Sequence, residues 1–132
     1  MEIVNCISTG YERLVSIFLK GKLVVCTVES YDKYLKEGCI DSSLIGVFKE
    51  PVNFRLKYAF INDKEFSNGF FQPIENSPST ILTGKVKFSE NNEKVVISND
   101  FLGELIIEFE NSVCVKDNSL ISIRGELQLE IQ

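Results

Sequence analysis

The sequence predicts an all-β fold, an antiparallel β-sandwich or partly open β-barrel with one short helix, and three observations lead there. Apolar and polar residues alternate with period two over several segments, the mark of strands buried on one face. Turn-forming residues recur about every ten positions, the spacing of a sandwich or barrel built from nine or ten short strands. Only one stretch combines a cap, helix formers and a terminating glycine. The 132 residues suit a single domain spanning 1–132, since domains centre on roughly 100–150 residues.

Along the chain, Thr9 to Leu19 admits a helix capped by Thr9, but Val15, Ile17 and Leu19 alternate, which favours a strand. Lys20-Gly21-Lys22 separates LVSIFL from LVVCTV and reads as a hairpin turn. Ser30 can cap a two-turn helix over residues 31–37 that Gly38 ends in the left-handed region. Val52, Phe54, Leu56, Tyr58 and Phe60 mark one face of the next strand, with Asn53, Arg55, Lys57 and Ala59 opposite. Residues 62–80 lack a core pattern, carry Pro73 and Pro78, and hold Phe66, Phe70 and Phe71 around Asn68-Gly69, a hairpin signal for a small ribbon over 65–72. Glu90-Asn91-Asn92-Glu93 divides GKVKF from KVVIS. Leu105, Ile107 and Phe109 alternate with Glu104, Ile106, Glu108 and Glu110; Leu127, Leu129 and Ile131 alternate with Glu126, Gln128 and Glu130.

The absences narrow the chemistry. With no histidine, every mechanism that needs an imidazole base or ligand is out. Cys6, Cys26, Cys39 and Cys114 form no CxxC pair, so the expectation is four reduced thiols rather than a zinc or redox site. Phosphate-binding glycine loops, the nucleophile elbow and calcium loops are all missing. The carboxylate pairs fall on strand faces expected to meet water, where general-acid chemistry has no support. A non-enzyme is expected, with no cofactor and no metal. No apolar run approaches the ~20 residues of a membrane helix, and MEIVNCISTGYERL lacks the basic and apolar regions of a signal peptide; a cytoplasmic protein is the expectation.

Charge is unevenly spread. Residues 1–88 carry +1 and residues 89–132 carry −6, together the net −5 of the chain. Alternation puts Glu104, Glu108 and Glu110 on one strand face and Glu126 and Glu130 on another. In one sheet these five carboxylates would point outward together around Ile106, at a repulsive cost that hints at a purpose beyond folding. Arg55 and Lys57, with Lys85 and Lys87, would form a basic patch if their strands were neighbours. The same alternation sends Tyr58 and Phe60 to the opposite face, and nucleic-acid binding is disfavoured because basic and aromatic side chains are kept apart.

The strand spacing after residue 80, with Gly84, Gly103 and Gly125 at bends, resembles in outline small β-barrels of the OB type and carries no functional residue across. The expected function is a non-enzymatic protein-binding inhibitor, an immunity protein or antitoxin that neutralises a basic, nuclease-type toxin through an acidic face. Its partner-binding residues would be Glu104, Ile106, Glu108, Glu110, Glu126 and Glu130, with Phe66, Phe70 and Phe71 as a second contact. The alternatives are an accessory or structural β-domain of a larger assembly using the phenylalanine loop, and an OB-like module for nucleic acid or a small ligand.

Overall fold

A computed structural model describes residues 1–29, 33–49, 52–62 and 69–131. Among the described residues ten strands follow one another: β1 (Glu2–Ser8), β2 (Glu12–Leu19), β3 (Lys22–Glu29), β4 (Gly46–Val47), β5 (Asn53–Ile61), β6 (Phe70–Phe71), β7 (Ser79–Ser89), β8 (Lys94–Asn99), β9 (Gly103–Phe109) and β10 (Leu120–Glu130). They form one sheet in the order β4-β1-β2-β3-β10-β5-β9-β8-β7-β6, and a further β10–β7 pairing closes β10, β5, β9, β8 and β7 into a five-stranded barrel. The all-β expectation holds, as a closed barrel with extra strands outside the ring. Most pairings are antiparallel; β5–β9 and β10–β3 run parallel. No helix among the described residues is long and apolar enough to cross a membrane.

The strand reading of 12–19 is correct, and its hairpin to β3 turns on Lys20 (φ 51°) and Gly21 (φ 77°). Positive φ at both central positions is the two-residue turn whose twist suits a hairpin. The expected helix is absent over 33–37, and Ser30, Tyr31 and Asp32 lie outside the described residues. The reason is competition for its carbonyls. Arg13 donates to Lys33 O at 2.8 Å, and Ser8 Oγ donates to Leu35 O at 2.6 Å, so this segment is tied to β1 and β2 rather than to itself. Among the described residues the helical element is a 3-10 turn, Ser42–Leu44, with Asp41 accepting from Ser43 N.

Arg13 itself is 1% exposed. Its guanidinium donates to Asp41 Oδ2 (2.7 Å), Gly10 O (2.9 Å), Glu12 O (3.0 Å) and Lys33 O. A buried charge survives only when its donors are satisfied in this way.

β10 is shared between two partners. Leu120 to Glu126 pair with β7, whereas Gln128 pairs with Thr27 of β3. At this fork the Gln72 amide takes the place of a missing strand: Val25 N donates to Gln72 Oε1 (2.9 Å), and Gln72 Nε2 donates to Val25 O (2.6 Å) and Thr80 Oγ1 (3.0 Å).

One expectation about facing is overturned. Phe54 and Leu56 point inward and are buried, but Tyr58 takes φ 53° and the register slips against both β9 and β10. The extra residue is a β-bulge. It buries Ala59 and turns Tyr58 and Phe60 to the outside. Gly125 of β10 packs into the bulge, where a Cβ would lie 2.7 Å from Lys57 O and 2.9 Å from Leu56 Cγ. The core is continuous from Ile3, Cys6, Val15 and Ile17 through Leu56, Leu82, Ile97 and Ile107 to Leu127 and Leu129.

Candidate functional site

Registry places the expected acidic residues. Phe88 of β7 pairs with Val96 of β8, Val96 with Ile106 of β9, Ile106 with Arg55 of β5, and Arg55 with Gln128 of β10. Residues paired in this way share a face, so an outward row crosses five strands. Over it lies a groove of about 310 Å³ lined by Asn53, Phe54, Arg55, Phe88, Glu90, Val96, Glu104, Leu105, Ile106 and Glu130. Its floor is apolar: Val96 is buried, Ile106 half-buried and Phe88 49% exposed. Glu90, Glu104 and Glu130 give the rim its charge, with Arg55 at one end.

The five carboxylates do not form one repelling cluster. β9 and β10 are not neighbours, because β5 runs between them and interposes two cations. Arg55 Nη1 donates to Glu108 Oε1 at 2.5 Å, and Arg55 Nε lies 2.9 Å from Glu130 Oε1 as an ion pair without hydrogen-bond geometry. Lys94 Nζ stands 3.8 Å from Glu108, and Lys57 Nζ bonds Glu29 at 2.6 Å. All these pairs are partly solvated, so each adds at most about 1 kcal/mol. Their effect is electrostatic: Glu108 and Glu130 are neutralised locally. Among the described residues Glu90 and Glu104 meet no cation within ion-pair reach. The groove therefore keeps its negative charge at the Glu90 and Glu104 rim.

The remaining expected residues scatter. Glu110 lies just past β9 and, with Lys57, Tyr58, Glu108 and Phe109, lines a separate hollow of about 230 Å³. Glu126 is exposed on β10 beside Lys57, away from the groove. Phe70 is a core residue, 3% exposed, its ring tilted against that of Phe101 at a centroid distance of 5.0 Å. Phe71 points outward. Phe66 and the first half of the expected 65–72 ribbon lie outside the described residues, and of the second half Phe70 and Phe71 pair with β7. β5 and β7 are not adjacent, since β10 separates them, and the basic patch of Arg55, Lys57, Lys85 and Lys87 does not form.

Alternation had already marked Arg55 as outward. Its position as a hub between carboxylates of two strands needed the topology, and so did the contribution of Phe88 and Val96 to the groove. Among the described residues no group of His, Cys, Asp or Glu is arranged to hold a metal ion. All four cysteines are free thiols, Cys6 and Cys26 buried, Cys39 and Cys114 exposed. Burial pushes the Cys26 thiol up to about 12 and, with the Asp41 charge adding to it, the Cys6 thiol up to about 11. No protein-family model matches the chain, and neither the curated proteins nor the solved structures contain a significant match to it.

Proposed function

We propose that this chain is a non-enzymatic protein-binding domain that captures a basic partner in the groove over Phe88, Val96 and Ile106. The observation that carries the reading is the pairing of an apolar floor with Glu90 and Glu104, whose charge no described cation cancels. A segment that fits offers an aliphatic or aromatic side chain to the floor and a lysine or arginine to the rim. Burying an apolar anchor supplies affinity, and the acidic rim supplies orientation and a faster encounter.

Within that reading, the finer proposal is an inhibitor of the immunity-protein kind, directed at a basic, nuclease-type toxin. The acid excess of the last third of the chain supports it, because a nuclease cleft is cationic by the nature of its substrate. Two expected contributors change role. Glu108 and Glu130 hold Arg55 in place, and the binding charge falls to Glu90 and Glu104.

Affinity purification from the source cells, with the wild type beside an Ile106→Asp/Glu104→Lys variant, tests the proposal. The expected result is a basic chain retained by the wild type and lost by the variant. Retention of the same chain by both proteins would overturn the assignment of the groove.

A further inference from the structure

On the far side of the barrel the bulge at Tyr58 creates a second surface. Registry aligns Phe71 of β6, Ile81 of β7, Arg124 of β10 and Phe60 of β5 in one row on the outer side of the sheet, with Ile81 buried and Arg124 half-buried between the two phenylalanines. Phe71 is 40% exposed, Phe60 50% and Tyr58 57%. Exposed aromatic side chains on the strand beside an arginine, Phe60 and Tyr58 next to Arg124, are residue types enriched at interface centres.

The charges on this face match one another. Arg124 and Glu126 point outward from β10 on either side of Gly125, about 6.6 Å apart along the strand. Arg124 Nη2 reaches only Ser79 Oγ, at 3.4 Å. Among the described residues Arg124 meets no carboxylate and Glu126 no cation, since neighbouring Lys57 bonds Glu29.

We infer that this β6–β7–β10–β5 face is the two-fold interface of a homodimer. A two-fold axis lying in the interface above Gly125, parallel to the sheet and perpendicular to β10, sets Arg124 of each copy over Glu126 of its partner. The same patch then serves both subunits, as an isologous interface requires. Phe60, paired directly with Arg124, and Tyr58 of the bulge flank the two reciprocal ion pairs and exclude water from them. A partner of one sign would satisfy Arg124 or Glu126 and strand the other, whereas a second copy satisfies both. The groove draws on Asn53, Phe54 and Arg55 of β5 and Glu130 of β10, at the opposite end of the β5–β10 ladder from Phe60 and Arg124, and otherwise on β7, β8 and β9, so the dimer contacts centre away from it.

Light scattering coupled to gel filtration tests this between about 5 and 200 µM, a range suited to a face smaller than a standard interface. The wild type should rise toward twice its 15.0 kDa. Arg124→Glu or Glu126→Arg alone should weaken the dimer at least tenfold, and the two together should restore it. Phe60→Ser should also loosen it, and circular dichroism should show every variant folded. A wild type that stays at the monomer mass at the highest concentration would overturn the inference, and so would a double reversal no better than either single one.

Discussion

Replacing Gly125 with alanine probes the joint between the barrel and the bulge that sorts the aromatic residues of β5. The added Cβ would stand 2.7 Å from Lys57 O, 2.9 Å from Leu56 Cγ and 3.2 Å from Ala59 Cα. Two of those three atoms are backbone, so no rotamer change relieves the crowding. Either β10 backs away from β5 or the bulge is undone. Overpacking typically costs ~1–3 kcal/mol, and this site belongs at the upper end because the obstacle is main chain. About 3 kcal/mol corresponds to a fall in Tm of roughly 10 °C for a domain of this size. Gly84→Ala is the control. Its Cβ meets Ile97 Cδ1 at 2.6 Å, the far end of a side chain, and Ser98 O at 3.0 Å, so about 1–2 kcal/mol is expected there. Urea unfolding should rank the two variants in that order at unchanged m value. A Gly125→Ala protein within about 0.5 kcal/mol of wild type, or less affected than Gly84→Ala, would refute the account of the bulge.

Three further outcomes follow. Gln72→Ala leaves the amide and carbonyl of Val25 without partners at the β3 fork and should cost about 2 kcal/mol in urea unfolding; a neutral substitution would mean that water serves equally well. The Arg13 hydrogen bond, reinforced by Ser43, holds the Asp41 carboxyl below its ordinary 3.8. A lowered folded-state value means that this stabilisation is complete above the unfolded-state value and is lost as pH falls through the folded one. Asp41→Asn should therefore flatten the loss of stability on the acid side of pH 4, and an unchanged acid limb in a pH series of melts would count against the pair. In the native protein a thiol reagent should modify Cys39 and Cys114 quickly and Cys6 and Cys26 only on unfolding, to a total of four; four equal rates would contradict the burial of the two strand thiols.

Much of the fold is legible because it rests on local periodicity. Leu105, Ile107 and Phe109, like Leu127 and Leu129, face inward as their alternation requires, and Lys20-Gly21 turns the hairpin as its composition suggests. What alternation cannot supply is the order of strands. That order places β5 between β9 and β10, which converts an apparent cluster of repelling glutamates into rows of opposite charge joined through Arg55. The Tyr58 bulge is also hidden, because VNFRLKYAF alternates without a break and the slip is set by Gly125, more than 60 positions away. That slip removes the premise against mixed aromatic and basic surfaces, since Tyr58 and Phe60 now share a face with Arg124. The helix expected near 31–37 fails where described for a long-range reason as well: Arg13 and Ser8 claim the carbonyls it would need.

The central claim is that the groove accepts an apolar side chain beside a cation, and a two-dimensional NMR titration addresses it most directly. Two short synthetic peptides serve as probes, Arg-Leu-Lys-Phe-Arg and its acidic counterpart Glu-Leu-Glu-Phe-Glu, each added to labelled protein at low salt. The basic peptide should shift the amides of Phe88, Val96, Glu104 and Ile106 in a saturable way, with an affinity that weakens as salt is raised. The acidic peptide should leave them in place. Equal shifts with both peptides, or shifts confined to residues outside the groove, would contradict the account.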